Sequence, residues 1–177
     1  RLATGSDDDT VRIWDPATGK AVGGPLTGHT GDVNNVAFSP DGTHVATTSD
    51  DDSARVWTAV DGRRVGTPIP LPPPVRGDIA GPVRDHLTAQ ARAATSVAFA
   101  GNTRVVTVSA GALRLWDAAT GAAFERRDAE TRPDGVMSTD GSWAATYASH
   151  SPASVQLVDL TAMASRRPFT VAGLITG

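Results

Sequence analysis

The chain has 177 residues and no cysteine, and its 16 basic residues are all arginine apart from Lys20. The missing cysteine rules out disulfides and thiolate metal sites. It also removes the residue from which a redox compartment is read. Strong charge of one sign is missing too: 16 basic residues stand against 19 acidic ones, for a net charge of −3. That balance offers no electrostatic footprint for nucleic acid or for an anionic membrane, so neither is expected as a partner. No apolar run approaches the roughly 18–20 residues of a membrane span, and no signal peptide is visible. The cytoplasm is the expected compartment. The near-absence of lysine, beside abundant Ala, Gly, Pro and Thr, points to a GC-rich bacterial gene.

What the chain does contain is one strand pattern written four times. Thr10-Val11-Arg12-Ile13-Trp14-Asp15 returns as Ser53-Ala54-Arg55-Val56-Trp57-Thr58. It returns again as Ala112-Leu113-Arg114-Leu115-Trp116-Asp117, and in faded form as Ser154-Val155-Gln156-Leu157-Val158-Asp159. Equivalent positions are 43, 59 and 42 residues apart. A near-fixed period of this size marks a repeat architecture. Arg1 to Ser6 matches His44 to Ser49, and Leu174-Ile175-Thr176-Gly177 resembles Pro25-Leu26-Thr27-Gly28. With no initiator Met, the chain is expected to be a piece of a longer array.

The second copy shows what one repeat is. Val33 to Phe38 carries small and apolar residues on both faces, which suits an inner strand covered on both sides. Ser39-Pro40-Asp41-Gly42 is a turn: Pro40 presets φ, Asp41 can bond the backbone and Gly42 accepts a positive φ. His44 to Ser49 and Ser53 to Thr58 read as strands around Asp50-Asp51-Asp52, and Asp61-Gly62 leads to an outer strand near Arg63 to Ile69. Four short antiparallel strands per repeat cannot cover both their faces alone, and stacked radially they do.

Gly28-His29, the run Val36-Ala37-Phe38-Ser39-Pro40-Asp41-Gly42, the central Asp51 and the closing Trp-Asp resemble the WD-repeat family of β-propellers. The fold class expected is all-β, a partial propeller of about four blades near 1–28, 29–70, 95–128 and 134–173. Each blade is a four-stranded antiparallel sheet, except that the first lacks its inner strand and keeps strands near 1–6, 10–15 and 20–26. The outer strand of the fourth is expected near 166–173. An unfinished ring of this kind needs further blades, or self-association, to cover its faces.

His29, Thr47 and Asp51 are residue types used together in nucleophilic catalysis. In the resembled family, the equivalents of His29, Thr47, Asp51 and Trp57 form a buried hydrogen-bonded tetrad that fixes one blade. The structural role is preferred, because no oxyanion element or nucleophile elbow accompanies the set. The first repeat keeps Thr4, Asp8 and Trp14. The third has Gln90 at the His position and Gly111 at the Asp position, with His86 four residues away from register. The fourth has Val158 for Trp and Pro152 near the Asp. Asp7-Asp8-Asp9 and Asp50-Asp51-Asp52 invite a calcium reading. No EF-hand or RTX-type glycine spacing supports it, and solvated turns are preferred. No cofactor and no metal are expected.

The anomalous step of 59 residues reflects about eighteen extra residues between the second and third repeats. This insertion, 68–94, opens with Pro68-Ile69-Pro70-Leu71-Pro72-Pro73-Pro74, which should be stiff polyproline II. Pro82 to Ala94 reads as a short helix, with an irregular loop as its alternative. In the family's geometry the insertion shares a rim with the acidic triplets. Asp7, Asp9, Asp50, Asp52, Arg76, Arg84 and Arg92 are therefore the candidate residues for a protein or peptide partner, against the alternative of a loop with no partner. The function expected is a non-catalytic interaction scaffold or sensor module. By resemblance, such an arm often regulates an attached signalling NTPase or kinase outside the chain. A propeller hydrolase and a non-functional truncated product are the competing readings. Decay of the tetrad predicts that the second repeat is the stiffest and the fourth the least stiff. Amide hydrogen exchange ranks them, and slowest exchange in the fourth would contradict it.

Overall fold

The computed structural model describes residues 1–71, 96–109, 112–128, 134–138, 142–148, 154–159, 164–165 and 169–170. Among them every regular element is a strand, and every pairing is antiparallel. The first sheet holds β1 (Leu2–Gly5), β2 (Val11–Asp15) and β3 (Lys20–Ala21), in that order. The second holds β4 (Val33–Phe38), β5 (His44–Ser49), β6 (Ser53–Thr58) and β7 (Arg64–Pro70). The third holds β8 (Ser96–Ala100), β9 (Arg104–Ser109), β10 (Ala112–Asp117) and β11 (Ala123–Asp128). In the fourth, β12 (Asp134–Met137), β13 (Trp143–Ala148) and β14 (Ser154–Asp159) are followed by β15 (Ala164–Ser165) and β16 (Phe169–Thr170), both paired with β14. This is an all-β partial propeller of four meanders.

The two-residue period of a strand decides what each sheet touches. In β5 and β6, Val45 and Trp57 join Val11, Ile13, Leu26 and Val33 in one core, between the first and second sheets. Their neighbours Ala46 and Val56 join Val97, Phe99, Val105 and Trp116 in another, between the second and third. All residues from Val45 to Ser49 are buried, because β5 is covered on both faces. Each fully buried Val or Ile contributes about 1.5–3 kcal/mol relative to exposure.

The inner strand β4 is covered on both faces, Ala37 packing toward the third sheet and Val36 and Phe38 toward the first, although at the edge of its own sheet only Val33 is fully buried. Two expectations need correction. The outer strand of the first sheet is shorter than expected. There β3 ends at Ala21, and only a bridge between Val11 and Leu26 continues it. Gly23, Gly24 and Pro25 intervene, and such residues weaken a ladder. Of the fourth sheet's outer strand, expected near 166–173, Phe169–Thr170 is present as β16, and 166–168 and 171–173 lie outside the described residues. Finally, Pro68 to Pro70 is not the start of polyproline II. Ile69 and Pro70 pair with Ala54 and Ser53 at the end of β7. Proline is tolerated there because β7 is an outermost strand with one side unpaired.

The expected turn at Ser39-Pro40-Asp41-Gly42 is present. The Asp41 carboxylate accepts from the Ser39 hydroxyl at 2.6 Å, the Thr43 amide at 3.0 Å and the Thr43 hydroxyl at 2.8 Å. These bonds, the one from Ser39 first, hold its pKa at about 2.

Neighbouring sheets also meet at their outer ends. Gly66 has φ +65, and a Cβ built there would lie 2.3 Å from the Ala119 carbonyl oxygen. Gly19 has a similar φ of +67 with nothing within 4 Å of such a Cβ. Gly66→Ala is therefore expected to cost about 3 kcal/mol, from the left-handed backbone plus a forced shift of the neighbouring turn. Gly19→Ala should cost about 1 kcal/mol, from the backbone alone. Urea unfolding of the two variants checks this, and equal losses would show that the sheets are not in close contact at Gly66.

Candidate functional site

The site is assembled from two loops and two strands of the second sheet. His29 lies in the connection entering that sheet, Thr47 on β5, Asp51 in the β5–β6 turn and Trp57 on β6. The antiparallel register places Val45 opposite Trp57 and Thr47 opposite Arg55. The hydroxyl of Thr47 thus comes within 3.0 Å of the Trp57 indole nitrogen. His29 Nε2 lies 2.8 Å from Thr47 Oγ1, and Nδ1 lies 2.9 Å from Asp51 Oδ2. The imidazole meets the indole edge-on, at 6.1 Å between ring centroids.

Hydrogen-bond capacity sets the direction of this chain. An ionised Asp51 only accepts, so the proton of a neutral His29 sits on Nδ1. Nε2 then accepts from the Thr47 hydroxyl, whose oxygen accepts from the Trp57 N–H. Each group uses its donor once, and the network is satisfied without a charge on the ring. Burial lowers the His29 pKa below its usual 6.5 and outweighs the opposing pull of Asp51. Burial pushes the Asp51 carboxyl up. Hydrogen bonds from Ser53, His29 and the Thr30 amide, with the charge that His29 takes on in the acid range where Asp51 titrates, overcome this and hold it at about 2.

Asp51 is the most heavily used acceptor. Besides His29, it takes the Thr30 amide at 3.2 Å, the Ser53 amide at 3.0 Å, the Ser53 hydroxyl at 2.6 Å and the Arg55 guanidinium at 3.3 Å. Arg55 and Ser53 were missed in the sequence reading. Their signal was the spacing Asp51-x-Ser53-x-Arg55, in which alternate strand residues share a face with the turn carboxylate.

Thr47 is completely buried and His29 is 5% exposed. The hydroxyl is engaged by Trp57 and the ring, so no substrate atom can reach it in this arrangement. The geometry does the work of a clamp: it ties the 26–32 connection to the β5–β6 turn. Backbone bonds reinforce it, with Asp50 N donating to Asp32 O at 2.9 Å and Val33 N to Ser6 O at 3.1 Å.

The first sheet carries only part of the same device. Trp14 donates to Thr4 at 2.9 Å, but this bond is exposed. Asp8 does not join it. The residue is exposed rather than turned inward, and its Oδ1 accepts from the Thr10 amide and hydroxyl, as Asp51 accepts from Ser53. In the third sheet Trp116 donates to Thr107 at 2.9 Å, and both are buried. Thr107 was also overlooked. It lies nine residues before Trp116, where Thr47 lies ten before Trp57, so the shortened turn hid the equivalence.

Of the rim candidates, Asp7 and Asp52 are exposed and Asp9 and Asp50 half-buried. Asp50 accepts from Asn34 at 2.6 Å. Asp9 and Asp52 hold φ of 64 and 58, a left-handed turn position that Asp tolerates. The charge of Asp9 reaches His29, which places the first triplet beside the second sheet's clamp. Among the described residues no three His, Asp or Glu converge as a metal site. Arg76, Arg84 and Arg92, together with His86, Gln90, Gly111, Pro152 and the segment 82–94 expected to be a short helix, lie outside the described residues.

Comparison with known proteins places these features. The family model described as "WD domain, G-beta repeat" matches residues 1–15 and 21–58. A Notchless protein homolog of Arabidopsis thaliana is 50% identical over 46 residues, which are 26% of this chain and 10% of that protein. Ribosome assembly protein 4 of Chaetomium thermophilum is 49% identical over 47 residues, 26% of this chain and 9% of that protein. Nuclear distribution protein PAC1 of Mycosarcoma maydis is 51% identical over 41 residues, 23% of this chain and 9% of that protein. The chain thus matches about a tenth of the length of these relatives.

The pH dependence follows from His29. The unfolded ring titrates near 6.5, and the folded pKa is lower. As pH falls through 6.5 the unfolded chain takes up a proton that the folded one refuses, so stability is lost, by at most about 1.4 kcal/mol per pH unit. The Asp51 contribution is present above its unfolded value of 3.8 and disappears as pH falls toward about 2. The urea midpoint should therefore drop from pH 6.5 to 5.5, and His29→Gln should lack that part of the slope. An identical slope in the variant would disprove it.

Proposed function

We propose that the chain is a WD-repeat protein, as the family-model match over residues 1–15 and 21–58 supports, and that it works as a rigid, non-catalytic platform holding a protein or peptide partner on the rim of its inter-blade loops. WD repeats generally mediate protein–protein interactions, and the buried clamp supports that use here. The observation that carries the reading is the bond from His29 to Asp51. It joins the connection between two blades to the turn within the next, so loops on one rim are held in a fixed relation. Pre-organised loops lose little entropy on binding, and a few of their residues can supply most of the affinity. Asp7, Asp9, Asp50 and Asp52 are the acidic contacts proposed, with Arg76, Arg84 and Arg92 of the 68–94 insertion beside them.

The blade boundaries proposed are 1–28, 29–70, 95–128 and 134–173, completed by further blades or a second copy. The exposed Leu2 favours such completion, because the equivalent Val45 is buried against the neighbouring sheet. Neither nucleic acid nor a membrane is part of the proposal, and among the described residues no helix is long and apolar enough to cross one. A cytoplasmic location, a bacterial source and an attached signalling NTPase or kinase complete the reading. The named relatives are eukaryotic, with names drawn from ribosome assembly and nuclear distribution, so their partners are not carried over. A hydrolase is disfavoured by the inaccessibility of Thr47.

The test uses the partner captured by the full-length protein. Asp7→Asn, Asp9→Asn, Asp50→Asn and Asp52→Asn together should weaken its binding at least about tenfold, a loss of about 1.4 kcal/mol. Lys20→Gln with Arg63→Gln, away from this rim, should leave binding unchanged. Full affinity in the fourfold variant, and in a second variant lacking 72–94, would remove the rim from the reading.

A further inference from the structure

The outer strand of the second blade contains a feature that the platform does not use. Ala54 on β6 pairs with Ile69, and Val56 with Val65, so Gly66, Thr67 and Pro68 stand opposite Arg55 alone. Thr67 lies at the centre of this bulge, on the outermost strand of its sheet, and is exposed. Its hydroxyl donates to the Thr120 carbonyl of the third blade at 3.0 Å. Two arginines precede it at three and four residues, Arg64 and Arg63, and both are exposed. Pro68 follows, which keeps Thr67 out of the helical region and in an extended backbone.

From this arrangement we propose that Thr67 is a phosphorylation site for an arginine-directed protein kinase, and that its phosphate releases the outer edge of the second blade from the third. Kinase clefts take an extended segment, and carboxylates in such a cleft can read the two guanidinium groups. An unpaired edge within a bulge supplies that segment without dismantling a ladder. The γ-phosphoryl group of a nucleoside triphosphate moves to Thr67 Oγ1. The hydroxyl O–H and the β–γ bridge bond break, an O–P bond forms, the proton passes to a carboxylate base of the kinase, and the nucleoside diphosphate departs.

The consequence is steric and electrostatic. A Cβ built on Gly121 would already lie 2.9 Å from Thr67 Oγ1, so the contact leaves no room for a phosphate. The esterified oxygen also loses the hydrogen it gives to Thr120. The opposing turn carries Asp117, whose carboxylate holds the Thr120 amide and hydroxyl at 2.8 Å, so the added charge meets a like charge. A second Arg-Arg-x-x-Thr run, Arg166-Arg167-Pro168-Phe169-Thr170, ends in β16 on the edge of the fourth sheet.

The experiment is phosphopeptide mapping of the full-length protein from its source cells. Trypsin releases Val65 to Arg76, in which Thr67 is the single hydroxyl side chain, so a phosphate on this peptide locates itself. Wild type should yield this peptide phosphorylated; in Arg63→Gln with Arg64→Gln, where trypsin instead releases Val56 to Arg76, fragmentation of that longer peptide should find Thr67 unmodified, without loss of stability. Amide exchange at 119–121 should rise about tenfold in the phosphorylated chain. In Thr67→Val, which loses one exposed hydrogen bond, it should rise no more than about threefold. An unmodified peptide alone, equal phosphorylation without the arginines, or unchanged exchange at 119–121 would each overturn the proposal.

Discussion

The described structure depends most on the hydroxyl of Thr47. It is a single atom group with one proton and two lone pairs, placed where a ring nitrogen needs a donor and an indole needs an acceptor. Left unpaired at this depth, either group would carry a desolvation cost of about 1–3 kcal/mol. The requirement propagates outward. His29 must be neutral and oriented, which needs Asp51; Asp51 must be ionised although partly desolvated, which needs Ser53, the Thr30 amide and Arg55. A hydrophobic middle layer thus acquires a defined direction from core to rim.

Three versions of the Trp–Thr bond separate geometry from context. The bond lengths are nearly the same, at 2.9 Å in the first blade, 3.0 Å in the second and 2.9 Å in the third. In the first the bond is exposed. In the second and third it is buried, and among the described residues the second has an imidazole and a carboxylate continuing it to the surface. Distance alone therefore does not measure what the bond contributes. Burial makes it difficult to replace, and the His29–Asp51 extension turns a local contact into a connection between loops.

Much of this was legible in the sequence because it is periodic. The Trp spacing, the Pro40-Asp41-Gly42 turn and the strand alternation each repeat, and repetition separates signal from accident. The described strands accordingly fall within two residues of their expected positions, except in the outer strand of the first sheet. That strand is least constrained: it has one neighbour, its residues are exposed, and Gly23 and Pro25 follow it. Arg55 was hidden for another reason. It looks like a solvated strand residue, as Arg12 is in the first sheet, and its burial depends on an adjoining blade that local patterning does not describe. Thr107 was hidden by a one-residue contraction of its turn. The insertion stands apart from both cases, because a segment without a repeat offers no register against which to read it.

The two boundaries of the second blade are held by different kinds of force, and this has a functional consequence. Toward the first blade, Trp57, Val45 and Val33 meet Val11, Ile13 and Leu26 in a continuous apolar layer, with the clamp above it. Toward the third, the inner part is equally apolar, but the outer end is held by glycine contacts and the exposed Thr67 hydrogen bond. An apolar layer resists local opening because parting it exposes area in proportion to its extent. A polar edge contact in water has a ready substitute in solvent, so its net contribution is small. Opening at the outer edge therefore need not disturb the rim, whose geometry is set from the Thr47 side. A molecule arranged in this way can keep a binding surface rigid while its periphery responds to modification, since the two properties reside in different layers of the same blade.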